Sequence, residues 1–274
     1  RGALGQSSKP VYDNHVAVLQ PFGHDPLLPV GAFFGQGALA GLAIDNHPRR
    51  QLAQLVAAGS GDNYAAALGV GAAVPGHAAL SIGTSGVLCA VDAMFHPAPG
   101  SAILTTPHAA PDVFLSMGVV MSATQSLDWL SRLTSVSAPD LAAMAETRAA
   151  KDITDCPISR PSITGVRTPD NRPDAQAFFG GLTAGHDASD LAYSILEGVA
   201  MQFYAAYIAQ KAANVPIDLI AAVGGGTRSV FWASLIATLF DQEISIPEQG
   251  EIAACLGAAR MAHAAADPVH RDAI

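Results

Sequence analysis

Long apolar runs are missing from this chain. Nothing in its 274 residues approaches the roughly 18 consecutive apolar residues of a membrane-spanning helix. No basic-then-apolar stretch opens it either, which sets the expectation of a soluble, cytoplasmic protein. Charge is scarce at 14%, with 14 Lys and Arg against 23 Asp and Glu. No basic run or aromatic-interleaved basic stripe occurs, which argues against nucleic acid as a main partner. Cysteine is limited to Cys89, Cys156 and Cys255 with no C-x-x-C spacing, so neither a disulfide framework nor a zinc site is indicated. The nine histidines show no H-E-x-x-H, and His77, His96 and His108 read as loop residues with solvated roles. No G-x-x-x-x-G-K-[ST] phosphate loop occurs. Gly69-Val70-Gly71-Ala72-Ala73 has no feeding strand and no acid at ribose distance, so it is no dinucleotide fingerprint. Half the residues are apolar, enough to bury a substantial core in one large domain or two smaller ones.

Residues 1–50 are punctuated by proline and glycine without a lasting apolar period; they read as irregular chain with a short strand at Val16–Leu19. Two apolar runs flank Gly83-Thr84-Ser85-Gly86 within Ala78–Val91, the pattern of a β-hairpin. Phe114–Val120 reads as a strand leading to a helix whose Leu127, Leu130 and Leu133 share a face. A second helix begins near Ser137 and Pro139 and reaches about Ala149. Residues 155–176 read as a loop. A long helix is predicted from Ala188 to about Ala213, with a stripe of Leu191, Ile195, Val199 and Phe203 and with Asp190 in its acidic first turn. The strand Leu219–Val223 then delivers Gly224-Gly225-Gly226, and Ser229 caps a helix carrying Trp232, Leu235, Ile236 and Leu239 on one face. Ile244–Ile246 is a short strand, and Glu251 opens a last helix reaching about Ala266. Strands mixed with helices place the chain in the α/β class.

Three loops carry the chemistry: Gly59-Ser60-Gly61-Asp62-Asn63, Ser81-Ile82-Gly83-Thr84-Ser85-Gly86 and Gly224-Gly225-Gly226-Thr227-Arg228-Ser229. Successive N–H groups in glycine turns form anion-binding concavities. Asp62 either caps the helix that follows it or orients a sugar hydroxyl and accepts its proton. The Gly83–Gly86 turn is either a plain hairpin or a phosphate cradle with two hydroxyl donors. Three glycines after a buried strand are more than a tight turn needs, and they suit a flat group lying against the backbone.

In this order the motifs resemble the FGGY family of carbohydrate kinases, and within it the xylulokinases. The segments around Gly118 and Ser126–Leu130, Gly165–Asn171, Ala177–Leu182 with Asp190–Leu191 and Ser194–Glu197, and Gly257–Arg260 are similar to the family as well. The resemblance covers about residues 57–266. It implies an actin-like ATPase (ribonuclease-H-like) domain, a mixed sheet flanked by helices. It also implies transfer of the ATP γ-phosphoryl group to a sugar, D-xylulose or a related one. Asp62 would be the base, with Asn63 beside it on the substrate. Gly83, Thr84, Ser85 and Gly86 would hold phosphate; Gly118, Gly224, Gly225, Gly226 and Ser229 would line the nucleotide. Mg²⁺ would be held mainly through ATP oxygens, with no metal ligands from the protein.

By the same likeness, residues 1–50 are an unassigned leader. Residues 51–79 are a remnant of a first kinase domain carrying the acid, and 80–274 are a C-terminal nucleotide-binding domain shortened at its end. The family's Asp-x-Gly-Thr loop does not occur here, and Val166 stands where many relatives have Glu. Turnover by this chain alone is therefore an open expectation, with a non-catalytic nucleotide-binding module as the competing reading. Association, such as a homodimer, is expected where apolar surface would face the first domain.

Overall fold

A computed structural model describes residues 59–266 and three short strands before them: β1 (Val16–Ala17), β2 (Gly41–Ile44) and β3 (Ala53–Val56). The remainder of the expected leader lies outside the described residues. Then follow α1 (Asp62–Gly69), β4 (Gly76–Ile82), β5 (Gly86–Asp92), β6 (Leu104–Pro107) and β7 (Phe114–Val120). After these come α2 (Thr124–Thr134), α3 (Ala138–Ala149), β8 (Ile158–Arg160), β9 (Phe178–Gly180) and α4 (Ala188–Ala212). The last elements are β10 (Ile217–Val223), α5 (Val230–Phe240), β11 (Ile244–Ser245) and α6 (Ala253–Ala266).

Seven strands form one mixed sheet in the order β1-β11-β10-β4-β5-β7-β6. β1, β11, β10 and β4 run parallel, β5 is antiparallel to both β4 and β7, and β6 pairs antiparallel with β7. Alternation along the strands gives the sheet two apolar faces. Leu80, Ile82, Leu88, Ala90, Val120, Ile220 and Ala222 face the helices α2 to α5. Ala79, Val87, Cys89, Val91, Leu115, Met117, Ala221 and Val223 face the other layer, where α1 and α6 lie. The product is a three-layer α/β/α arrangement, because each buried face of a sheet needs a cover.

Local chemistry explains the helix ends. The Ser137 side chain accepts the Asp140 N–H at the start of α3, which has proline in its first turn. The Ser229 hydroxyl accepts the Trp232 N–H at the start of α5. Ile195, Val199 and Phe203 of α4 are fully buried and Leu191 partly so, as the apolar stripe requires. α1 and α6 cross in contact. A Cβ on Gly257 would stand 1.9 Å from the Ala65 carbonyl oxygen, and Arg260 Nη1 donates to the Leu68 carbonyl at 2.5 Å. The Gly257–Arg260 motif therefore holds the helix that carries Asp62.

Several expectations change. Leu133 is 64% exposed on α2, and Leu219 is 46% exposed beside the register irregularity between Ile217 and Leu219 in β10. The 155–176 loop contains β8, which pairs antiparallel with β9. Asp190 is buried: its carboxylate closes a capping box with Asp187 and accepts Arg148 Nε at 2.6 Å, so it is far more than a dipole charge. His77 lies in β4, with Nδ1 against the Gly71 carbonyl at 3.2 Å. His108 is buried, with Nε2 donating to the Ala72 carbonyl at 2.8 Å and Nδ1 accepting the Ala109 N–H at 2.7 Å.

Candidate nucleotide site

β4 and β10 are parallel neighbours with Val223 opposite Ser81, so their carboxyl ends lie side by side. The Gly83–Ser85 turn leaves one and the Gly224 loop leaves the other. Ligands of open α/β sheets collect at such an edge. The two loops touch at Ile82, through its carbonyl and its side chain. A Cβ on Gly224 would stand 2.8 Å from the Ile82 carbonyl oxygen, and one on Gly226 would stand 2.2 Å from Ile82 Cγ2. Gly224 also has φ +91°, a conformation that side chains rarely accept. Gly225 is different: its α-carbon faces open space with nothing within 4 Å of an added Cβ. It is exposed, in the turn Gly225–Arg228.

The hairpin turn is anchored from behind. The N–H groups of Ala123 and Thr124, at the start of α2, donate to the carbonyls of Thr84 and Gly83, both at 2.9 Å. With those carbonyls turned toward α2, Thr84 and Ser85 are exposed at the tip. Among the described residues no hydrogen bond takes up their N–H groups or their hydroxyls. Four donors at one exposed tip form a surface that suits a polyanion. Gly86 has a packing reason of its own, because a Cβ there would meet Phe203 Cζ at 2.1 Å. Gly118 lies within β7 opposite Leu88, and a Cβ there would stand 2.9 Å from Ala206 Cβ on α4. Ser229 spends its hydroxyl on the α5 cap.

Asp62 is the first residue of α1 and is exposed; Gly61 is the cap, and the Asp62 carboxylate accepts the Asn63 N–H at 2.8 Å. Its helix lies on the sheet face opposite α4, with Tyr64 packed there and its hydroxyl 2.7 Å from Thr106 Oγ1. The Asp62 charge is felt at Cys89, three residues along β5 from Gly86. Burial first, and that charge second, push the Cys89 thiol up to about 12. The structure thus joins the second and third loops in direct contact, while the acid of the first opens a helix on the other face of the sheet.

Sequence reasoning missed the start of α2 as the hairpin's anchor, and it missed Glu251. Glu251 Oε1 accepts both Arg228 Nη2 at 2.7 Å and Arg228 Nε at 2.9 Å, bridging the glycine turn to the start of α6. The sequence hint was an arginine, Arg228, placed two residues after the three glycines. As for a metal, no cluster of three His, Cys, Asp or Glu suited to an ion occurs among the described residues.

A mixed sheet between helix layers, with glycine turns meeting at one strand edge, is the nucleotide-binding architecture of the actin-like ATPases. Residues 78–266 match the C-terminal domain of the FGGY family of carbohydrate kinases, and the chain belongs to that family. It is 38% identical over 214 residues to the xylulose kinase of Escherichia coli strain K12, covering 78% of this chain and 44% of that protein. A solved xyloylose kinase from Brucella ovis is similar at TM-score 0.72 and 38% identity, over 78% of this chain and 44% of that one. A Plasmodium falciparum glycerol kinase solved with ADP shares the fold at TM-score 0.72 and 20% identity, over 82% of this chain and 46% of that one. The chain therefore spans a little under half the length of these relatives.

Proposed function

We propose that this chain is the nucleotide-binding half of an ATP-dependent sugar kinase that phosphorylates D-xylulose to D-xylulose 5-phosphate. The single observation that carries the reading is the hairpin: the N–H and hydroxyl donors of Thr84 and Ser85, unengaged among the described residues, sit at the tip of a turn whose base, at Ile82 and Gly83, packs against Gly224 and Gly226. On this reading the N–H groups of Thr84 and Ser85 and their hydroxyls bind the β- and γ-phosphate oxygens. Phosphoryl transfer needs chiefly such positioning and electrostatic stabilisation. Open space beside Gly225 admits the nucleoside. Gly83 allows the turn, while Gly86 and Gly118 bring α4 close behind the sheet. Mg²⁺, held by triphosphate oxygens, supplies neutralisation of the transferred charge. Asp62, with Asn63 beside it, orients the sugar hydroxyl and accepts its proton. The sugar choice rests on the likeness to xylulose kinases over this part of the chain. Residues 51–79 would then belong with the sugar-binding side and residues from 80 onward with the nucleotide side.

The test uses two measurements on wild type and Asp62→Asn: calorimetric titration with ATP and Mg²⁺, and ADP release coupled to D-xylulose. Removing a general base lowers turnover about 10²–10⁴-fold, and nucleotide affinity should hold. Wild type that neither binds ATP nor releases ADP with any pentulose sinks the proposal. ATP binding without sugar-dependent release would restrict it to a nucleotide-binding module.

A further inference from the structure

We infer that Arg228 and Glu251 are positioning residues for the nucleotide, acting as a brace that fixes the glycine turn relative to the start of α6. This rests on the nucleotide reading given above. Gly224 and Gly226 seat the glycine turn on Ile82 of β4, whereas the crest at Gly225 faces open space. On the other side stands the short turn Gly250–Ile252 that opens α6. An added Cβ on Gly250 would be 3.5 Å from Val223 Cγ1, so this second turn rests on the end of β10 as well. Both walls therefore rise from the carboxyl end of β10. The Arg228 guanidinium spans them, with Nε and Nη2 both donating to Glu251 Oε1. Val230 and Ile252, each a step or two from a member of the pair, are half exposed. A polar bridge near half-exposed apolar side chains offers both charge and apolar surface at the glycine turn.

The pair is too exposed to serve stability: its side chains are 76% and 62% accessible, and such pairs contribute little to folding. Its effect should instead appear where the spacing of the two turns matters, in binding of a purine nucleoside triphosphate. A like-charge pair at this distance would push the walls apart, and a swapped pair would restore them.

The experiment is calorimetric titration of the full chain with ATP and Mg²⁺, comparing wild type, Glu251→Gln, Glu251→Arg and the double swap Arg228→Glu/Glu251→Arg. Thermal midpoints are recorded in parallel. Glu251→Gln should weaken ATP about five-fold and Glu251→Arg more, with midpoints unchanged; the swap should recover most of the loss. At about 1 M salt the difference between wild type and Glu251→Gln should shrink. Wild-type affinity in Glu251→Arg, or no recovery in the swap while midpoints hold, overturns the brace and leaves the nucleotide reading intact. If wild type itself binds no ATP, the nucleotide reading falls first and the brace falls with it.

Discussion

Gly226 and Ile82 are in contact so close that a single added methyl would stand 2.2 Å from Ile82 Cγ2. These residues lie 144 positions apart in the chain, and only a residue without a Cβ lets the third loop seat on the Ile82 side chain and so fixes the spacing of any phosphate and nucleoside subsites.

The three glycines should accordingly separate in mutagenesis. Gly226→Ala must displace Ile82 and should cost about 1–3 kcal/mol, read as a fall in thermal midpoint. Gly225→Ala meets open space and should leave stability within about 0.5 kcal/mol. Its effect should appear in ATP titration instead. Equal stability of the two variants would contradict the contact.

Arg148 and Asp190 form a buried ion pair, with side chains 10% and 9% accessible, joining α3 to α4. Removing one partner leaves a buried charge, so Arg148→Met should destabilise by about 3–5 kcal/mol in urea denaturation. Replacing both, as Arg148→Met/Asp190→Leu, should recover a large part of that. A double variant no better than the single would show that the capping role of Asp190 dominates.

Cys89 is buried and Cys255 exposed, both as free thiols. At pH 8 a thiol reagent should label Cys255 readily and Cys89 only on unfolding, because the thiolate is the reactive form. With the folded thiol at about 12 against an ordinary 9, the folded state prefers the proton. That contribution is whole below pH 9 and is lost as pH rises from about 9 toward 12. Asp62→Asn should hardly change Cys89 labelling, since burial is the larger cause.

His108 is held below its ordinary range by burial, with its bond to the Ala72 carbonyl pulling the other way. Protonation at Nδ1 would also break the bond it accepts from Ala109. Its contribution is therefore present above about pH 6.5 and lost as pH falls through the lower folded value. Mass-spectrometric hydrogen exchange should show residues 70–75 and 108–113 opening together as pH falls below the ordinary histidine range. His108→Gln should remove that dependence.

Much of the frame was legible because its signals are local. The hairpin around Gly83–Gly86 and the strand Phe114–Val120 follow from short apolar runs bounded by turns. The Ser137 and Ser229 caps follow from hydroxyls placed just before helical periods. Other features had no local signal. Asp190 meets Arg148 across 42 positions, and nothing near either residue in sequence announces a buried pair. His108 looks solvated beside its neighbours in the chain, yet it reaches Ala72 across 36 positions. Gly86 and Gly118 read as ligand glycines, whereas the faces they leave open are filled by Phe203 and Ala206 of α4.

Sequence alone determined the longer strands, the helices and the glycine turns, because backbone propensity, capping and apolar period act within a few residues, whereas short strands such as β6, β8 and β9 had no such signal. It also determined the family, through motifs kept in order along the chain. Tertiary structure alone decided which turns meet, which glycines exist for packing and which charges are buried. Strand pairing and helix crossing bring residues together by register and contact, and neither is encoded at short range.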